Sequence, residues 1–290
     1  MIESRADRQP QHRLKLVVAY DGREFSGSQR QPGKRTVQGD LEAAVATLFG
    51  AEIPVSLAGR TDSGVHALGQ VASCLDRRPE LGEAQIAVAL RSHLRDDVSV
   101  GSAERVPFDF DPRRDARWRQ YRYQIWIGAP NPLVRDRSAL IERQLDTESM
   151  RVASHFLVGE QDFASFAGLG KGVPWSEREG RGTIRRVWAI EIAERIEWHG
   201  RMIAIDVIGD AFLPGQVRSM IGALVEVGRG RIGPEWLAEL VGRRDRRAGP
   251  KSAPAHGLAL WHVGYEPYAG ARDNVGLSRV ESTGIDRDGP

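Results

Sequence analysis

The 290-residue chain has few lysines, a single cysteine and no long apolar run, and each shortage narrows what it can be. Cys74 is the sole cysteine, which excludes an internal disulfide and a cysteine-based zinc cluster and reads as a small buried residue of a cytoplasmic protein. The longest apolar runs, such as Leu16 to Tyr20 and Met202 to Ile205, fall far short of the ~20 residues a membrane helix needs. Met1 to Arg13 is polar and mixed in charge, without the apolar stretch of a signal peptide. Paired Cys and His at zinc-finger spacing, a P-loop and a G-x-S-x-G elbow are all missing. Of 41 basic residues only Lys15, Lys34, Lys171 and Lys251 are lysines. Arginine's planar fork suits phosphate and stacks on bases, so the excess fits nucleic acid; a codon bias that writes Arg for Lys produces the same ratio. With 39 acidic residues the formal charge is only +2, so composition alone does not choose.

What is present is an ordinary globular composition, 41% apolar and 28% charged. Leu14 to Tyr20 reads as a strand leading into the turn pair Asp21-Gly22. Val37, Leu41, Val45 and Leu48 recur at helical spacing up to Gly50. Strands are expected at Ile53 to Ala58 and Leu68 to Leu75, a helix at 82 to 94 with Ile86, Leu90 and Leu94 on one stripe, and a strand at Val98 to Val106. The order is βαββαβ, the split arrangement of ferredoxin-like folds.

The second half repeats that order. Arg119 to Ile127 alternates like a strand, and Met150, Ala153 and Leu157 mark a helix from Thr147. Strands follow near Ile184 to Ile192 and Arg201 to Ile208, then a helix from Leu213 to Val227, a short helix at Pro234 to Val241, and a last strand at His256 to Tyr265. The expectation is an α+β protein of two related ferredoxin-like domains, 14–108 and 109–268, joined near Phe108 to Asp115. A tail at 1–13 precedes them and a disordered tail at 269–290 follows. Gly168 to Gly182, with five glycines interleaved with Lys171, Arg178 and Arg181, reads as a mobile loop able to close over a ligand.

Gly228-Arg229-Gly230-Arg231-Ile232-Gly233 satisfies G-x-G-x-x-G, but it follows a helix rather than a strand and reads as a helix stop before Pro234. Asp62 and His66 suggest a metal only if a third ligand joins them, and none stands at a usable spacing. The loop Ala58-Gly59-Arg60-Thr61-Asp62-Ser63-Gly64-Val65-His66 carries more information. Taken alone, Asp-Ser-Gly is a turn. The whole string Gly-Arg-Thr-Asp-x-Gly-Val-His, with Gln70-Val71 downstream, resembles the catalytic motif of the tRNA pseudouridine synthase A (TruA) family. Other matches arrive in family order: Tyr20-Asp21-Gly22, Gly27 and Gln29, Arg35 to Gly39, Phe110 with Arg113, Tyr121-Arg122-Tyr123, Gly159-Glu160, Asp162-Phe163, Ala211-Phe212-Leu213, Val217-Arg218 and Gly222-Ala223-Leu224. They span roughly residues 14 to 266.

The resemblance implies a cofactor-free isomerase, without metal, that converts uridine to pseudouridine at positions 38 to 40 of the tRNA anticodon stem-loop, a homodimer with no membrane attachment. Asp62 is then the nucleophile; its residue type is equally compatible with attack at uracil C6, attack at ribose C1′, or elimination from the sugar. Burial disfavours a charged carboxylate and a nearby guanidinium favours it, and Arg218 matches the family's arginine in that place. Tyr121 matches the tyrosine that packs on the target base. Arg60 matches the arginine that fills the gap left by a flipped base, whose extrusion costs a few kcal/mol. Phe110, Asp111, Pro112, Arg113 and Arg114 match an RNA-contacting stretch, and Arg178 and Arg181 lie in the corresponding loop. Two departures stand close to the expected site: Ser28, where the family usually has Trp, and Pro214-Gly215-Gln216 before Val217. They motivate a catalytically silent RNA-binding paralogue as the alternative reading; a metal-dependent hydrolase using Asp62 and His66 is a third.

Overall fold

Alternate burial of Leu14, Leu16, Val18 and Tyr20 makes His12–Tyr20 (β1) a strand with one face in the core. The computed structural model describes residues 12–168, 181–197 and 199–270, so most of the glycine-rich loop, with Arg178, and most of both expected tails lie outside the described residues, while His12 and Arg13 of the first belong to β1. Helix α1, Val37–Phe49, starts where the Thr36 side chain accepts from the Gly39 N–H and stops at Gly50 (φ 68°). It buries Val37, Leu41 and Val45. Next come β2 (Ser56–Leu57), β3 (His66–Leu75), α2 (Glu83–Ser92) and β4 (Val98–Pro107).

The strand expected at Ile53 to Ala58 is reduced to two residues. Helix α1 takes the backbone upstream of it: the Val55 N–H donates to Glu42 Oε1 (3.2 Å) and the Val55 carbonyl accepts from Gln38 Nε2 (2.9 Å). Pro54 has no N–H to offer a ladder.

The second half contributes β5 (Trp118–Ile127), β6 (Ala139–Ile141), α3 (Thr147–Ser154), β7 (Gly159–Asp162), β8 (Ile184–Glu197) and β9 (Gly200–Gly209). Helices α4 (Gln216–Gly228) and α5 (Trp236–Arg243) and strand β10 (Leu258–Gly264) complete it. Strands β6 and β7 are additions that the hydrophobic pattern does not announce, being three and four residues long. Helix α4 begins three residues later than its apolar stripe suggests, because Gly215 adopts φ 72° and breaks the helical backbone just before Gln216. Pro214 therefore lies outside the helix, where its missing N–H costs nothing. At the other end Gly230 (φ 68°) donates its N–H to the Val227 carbonyl, so the G-x-G-x-x-G run is a helix stop.

All these strands form one mostly antiparallel sheet, in the order β4-β1-β3-β10-β5-β9-β8-β7, with β2 beside β3 and β6 beside β5. The first half is thus ordered β4-β1-β3-β2 and the second β10-β5-β9-β8, the same sequence of elements in the same places. The halves meet where β3 and β10 pair in parallel over only His66 with Ala259 and Ala67 with Leu260. One apolar core runs through both, including Leu16, Leu41 and Ile86 on one side of that seam and Ile205, Met220 and Leu224 on the other.

Close approach of α4 to the Lys251 to Ala253 segment requires Gly222: a Cβ there would stand 2.0 Å from the Lys251 carbonyl oxygen. Gly222→Ala should cost about 3 kcal/mol in urea denaturation, the upper part of the usual range for overpacking. Gly242→Ala in α5, where an added Cβ meets nothing within 4 Å, should stabilise by up to about 1 kcal/mol.

Candidate active site

One edge of β3 is shared. Strand β2 pairs with it at Ala72 and Ser73, β10 pairs with it at His66 and Ala67, and the loop from Ala58 to Val65 leaves β2 into the gap between them. Gln70, wholly buried on β3, fills the gap with its amide: Oε1 accepts from the Gly59 N–H (3.2 Å) and Nε2 donates to the Gly59 carbonyl (2.9 Å). The Thr61 hydroxyl pairs with the Tyr20 hydroxyl (2.8 Å). Ser28 grips the Thr61 backbone from both sides, its Oγ accepting the Thr61 N–H (2.9 Å) and its own N–H donating to the Thr61 carbonyl (3.1 Å). Gly27, at φ 97°, permits this approach, since a Cβ there would stand 3.0 Å from the Thr61 oxygen. A turn then closes as the Val65 N–H donates to the Asp62 carbonyl (3.1 Å). Asp62 is thereby held on a backbone fixed on both sides.

Arg218, in the first turn of α4, brings Nη1 to 3.6 Å from Asp62 Oδ2, an ion pair whose side chains are 24% and 28% exposed. Its Nε donates to the Ala253 carbonyl (2.8 Å), and the Ala253 N–H donates back to the Arg218 carbonyl (2.9 Å), which aims the guanidinium. Tyr121 sits on β5 between Leu260 of β10 and Val207 of β9. Its ring meets Phe212 edge-on at 5.4 Å, and its hydroxyl reaches the loop, 3.7 Å from where a Cβ on Gly59 would be. Burial above all, then the neighbouring Tyr20 and Asp62, holds its phenol protonated well above the usual range, with Arg119 opposing. Burial likewise pushes Tyr20 up to about 12. The three expected catalytic residues, Asp62, Tyr121 and Arg218, converge on one loop from three elements.

The expected RNA-contacting residues divide. Arg60 and Arg114 are exposed. Asp111 is a cap: burial raises its carboxyl, but Oδ1 accepts the Arg114 and Arg113 N–H groups (2.8 and 2.9 Å) and the net shift is downward. Pro112 is buried and its carbonyl accepts the Tyr265 hydroxyl (2.9 Å), while the Phe110 ring lies 5.2 Å from the Tyr265 ring. Arg181 pairs with Asp210 at the end of β9.

His66 is not disposed to bind a metal. Its Nδ1 accepts the Gly22 N–H (3.2 Å) and stands 3.3 Å from Asp21 Oδ1, and its Nε2 faces the His256 carbonyl (3.1 Å), so both ring nitrogens already have protein partners. Among the described residues no three His, Cys, Asp or Glu side chains are grouped to hold an ion. Two residues that the sequence reading left without a positive role belong to the site's frame: Ser28, and Arg119, whose guanidinium donates to four backbone carbonyls. The signal for Arg119 was its place two residues before Tyr121 on a strand, hence on the same face.

An α+β protein with a carboxylate set against a guanidinium at the seam of one continuous sheet, and a buried tyrosine beside them, is the class these observations define. The family model for tRNA pseudouridine synthase matches residues 16–114 and 153–266. The tRNA pseudouridine synthase A of Exiguobacterium sp. is 37% identical over 254 residues, covering 88% of this chain and 98% of that protein. That of Pelobacter propionicus is 40% identical over 254 residues, 87% of this chain and 99% of that protein. That of Frankia casuarinae is 40% identical over 261 residues, 88% of this chain and 90% of that protein. The chain belongs to the tRNA pseudouridine synthase family.

Removing the Ser28 hydroxyl leaves the buried Thr61 N–H without its acceptor, so Ser28→Ala should lower stability by about 1–3 kcal/mol in urea melts. Burial, chiefly, holds the His66 imidazole below its ordinary 6.5, despite the neighbouring Asp21. The unfolded chain then binds a proton that the folded one refuses, so this group costs stability as pH falls below 6.5 toward the lower folded value. His66→Gln should flatten the dependence of the urea midpoint on pH between about pH 7 and pH 5.

Proposed function

We propose that the protein isomerises uridine to pseudouridine in tRNA, at positions 38 to 40 of the anticodon stem-loop, with Asp62 as the nucleophile. The observation that carries this reading is the Asp62–Arg218 pair, 3.6 Å apart on a loop whose backbone is fixed on both sides, in a chain of this family. In the reaction the bond from C1′ to uracil N1 breaks and one from C1′ to C5 forms, with a proton lost at C5 and one gained at N1. Atoms and electrons balance without a cofactor.

Each neighbour has a task in this reading. Arg218 keeps the Asp62 carboxylate charged and oriented as the base excludes water from it. Tyr121, protonated and buried, is a wall for the flipped base and a hydrogen-bond donor. Arg60, exposed two residues before Asp62, fills the gap the base leaves in the stem. Arg113, Arg114, Arg178 and Arg181 meet phosphates, and Phe110, Asp111 and Pro112 hold the segment that presents the first two. The two departures from the family pattern support structure rather than displacing a catalytic group: Ser28 fixes Thr61, and Pro214 stands outside α4.

The halves 14–108 and 109–268 are two ferredoxin-like domains, a reading supported by their matching strand orders, and the protein works in the cytoplasm as a homodimer with one anticodon arm reaching across both subunits.

The test is incubation of the purified protein with an unmodified tRNA transcript, read by mass spectrometry or carbodiimide mapping. Asp62→Asn should yield no pseudouridine while keeping its tRNA affinity within about threefold; modification by that variant would remove Asp62 from the role. Arg218→Leu should lose turnover by about 100-fold or more with little change in tRNA affinity, as expected for charge stabilisation at the reacting centre. Equal losses in both would make Arg218 a phosphate contact instead.

A further inference from the structure

The two members of the reacting pair come from opposite sides of a short seam. Asp62 belongs to the loop after β2, and Arg218 to α4 of the second half. Strands β3 and β10 join these halves through two residue pairs. So short a ladder contributes few backbone hydrogen bonds to fixing the halves, and a separation of 3.6 Å between two side chains demands more precision than an apolar core alone supplies.

Arg119 spans that seam. It lies on β5, opposite Gly209 of β9 and Val263 of β10, and is 91% buried by its 9% exposure. Its Nη2 crosses into the first half and donates to the Ala58 carbonyl (3.2 Å), at the root of the Asp62 loop, and to the Arg113 carbonyl (2.9 Å). Its Nη1 donates to the Asp210 carbonyl (2.7 Å), where β9 ends and the chain turns toward α4, and to the Ala116 carbonyl (3.2 Å). Two Nη groups carry four N–H bonds, and four carbonyls from three segments receive them. The guanidinium is planar, so these four directions are set relative to one another. A lysine ammonium has three N–H bonds on one rotating centre and cannot satisfy the set.

We propose that Arg119 is a positioning residue: by tying the Ala58 and Asp210 carbonyls into one plane it sets the distance between Asp62 and Arg218, and it links the Phe110 to Arg114 segment to the same frame. The inference rests on the proposed reaction. A misplacement of about 1 Å at a reacting centre can cost about 100-fold in rate, so a change in this frame reads out in turnover while tRNA, held by surface contacts, binds as before.

The experiment measures pseudouridine formation by wild type, Arg119→Lys, Arg218→Lys and the double variant under single-turnover and steady-state conditions, with circular dichroism on each. Arg119→Lys should lower kcat about tenfold or more with KM for tRNA within about twofold. The double variant should be little slower than the slower single variant, because both changes act on one pair. In Arg119→Ala, added guanidinium ion should restore part of the lost rate; a loss of rate matched by an equal rise in KM would mark a general structural role instead. Wild-type turnover in Arg119→Lys, losses that simply multiply in the double variant, or failure of both Arg119 variants to fold would each overturn the inference. A wild-type protein that forms no pseudouridine would instead defeat the proposed reaction, so the two failures are distinguishable.

Discussion

The handover of one edge of β3 from β2 to β10 is the constraint from which the site follows. A strand edge must be paired, covered or bridged, because its N–H and C=O groups have no other partners. Here a two-residue strand and a seven-residue strand divide the edge, and the loop bearing Asp62 rises between them. Gln70 substitutes its side-chain amide for the missing ladder at Gly59. The same fact explains why the loop is held without being regular: side chains of Gln70, Ser28 and Arg119 meet the Gly59, Thr61 and Ala58 backbone, and the Ser28 N–H meets the Thr61 carbonyl. A buried polar network of this kind specifies one conformation when every member is satisfied.

Electrostatics act on top of that scaffold. Arg218 occupies the first turn of α4, the end where the helix dipole is positive and a cation is disfavoured. What keeps a guanidinium there is the Asp62 carboxylate and the Ala253 carbonyl, so the residue is placed for its partner and not for the helix. Tyr121 faces the opposite situation. Surrounded by Phe212, Leu260 and the loop, it is desolvated more than Arg119 can offset, and its phenol stays neutral beside the Asp62–Arg218 pair. A charged pair bordered by a neutral aromatic surface suits a flat, uncharged base that must lie against a carboxylate.

Much of this was legible in the sequence, and the failures have physical causes. The alternation in β1 and the stripes of α1 and α2 announced the first half, and periodicity alone located β5, α3, β8, β9, α4 and β10 of the second. Asp62, Arg218 and Tyr121 were found through a string of residues, since no property of an isolated Asp in an Asp-Ser-Gly turn marks it. Strand β2 was over-read because Val55 is apolar, although its backbone groups belong to Gln38 and Glu42, a tertiary override that no local pattern contains. Strands β6 and β7 are too short to show a period. Ser28 and Pro214-Gly215-Gln216 looked like defects by comparison with the family, yet in place they are a clamp on Thr61 and an αL break that starts α4 one residue after Gly215.

The arginine surplus looks different once its members are placed. Arg35 bridges Asp40 and Asp97, Arg105 pairs with Asp76 while donating to the Leu81 carbonyl, and Arg122 holds Asp206 through two hydrogen bonds and lies 4.2 Å from the Trp261 ring centroid. The run Arg243, Arg244, Arg246 and Arg247 is partly employed in the same way: Arg246 donates to the Ser165 carbonyl and Arg244 stands 3.7 Å from Asp162. These arginines staple loops and strand ends of the protein's own backbone, a use for which the planar fork is as well suited as for phosphate. The count of arginines therefore says little about RNA. Counterion release depends on the number of phosphates met locally and not on net charge, so a formal charge of +2 is no argument against a tRNA substrate.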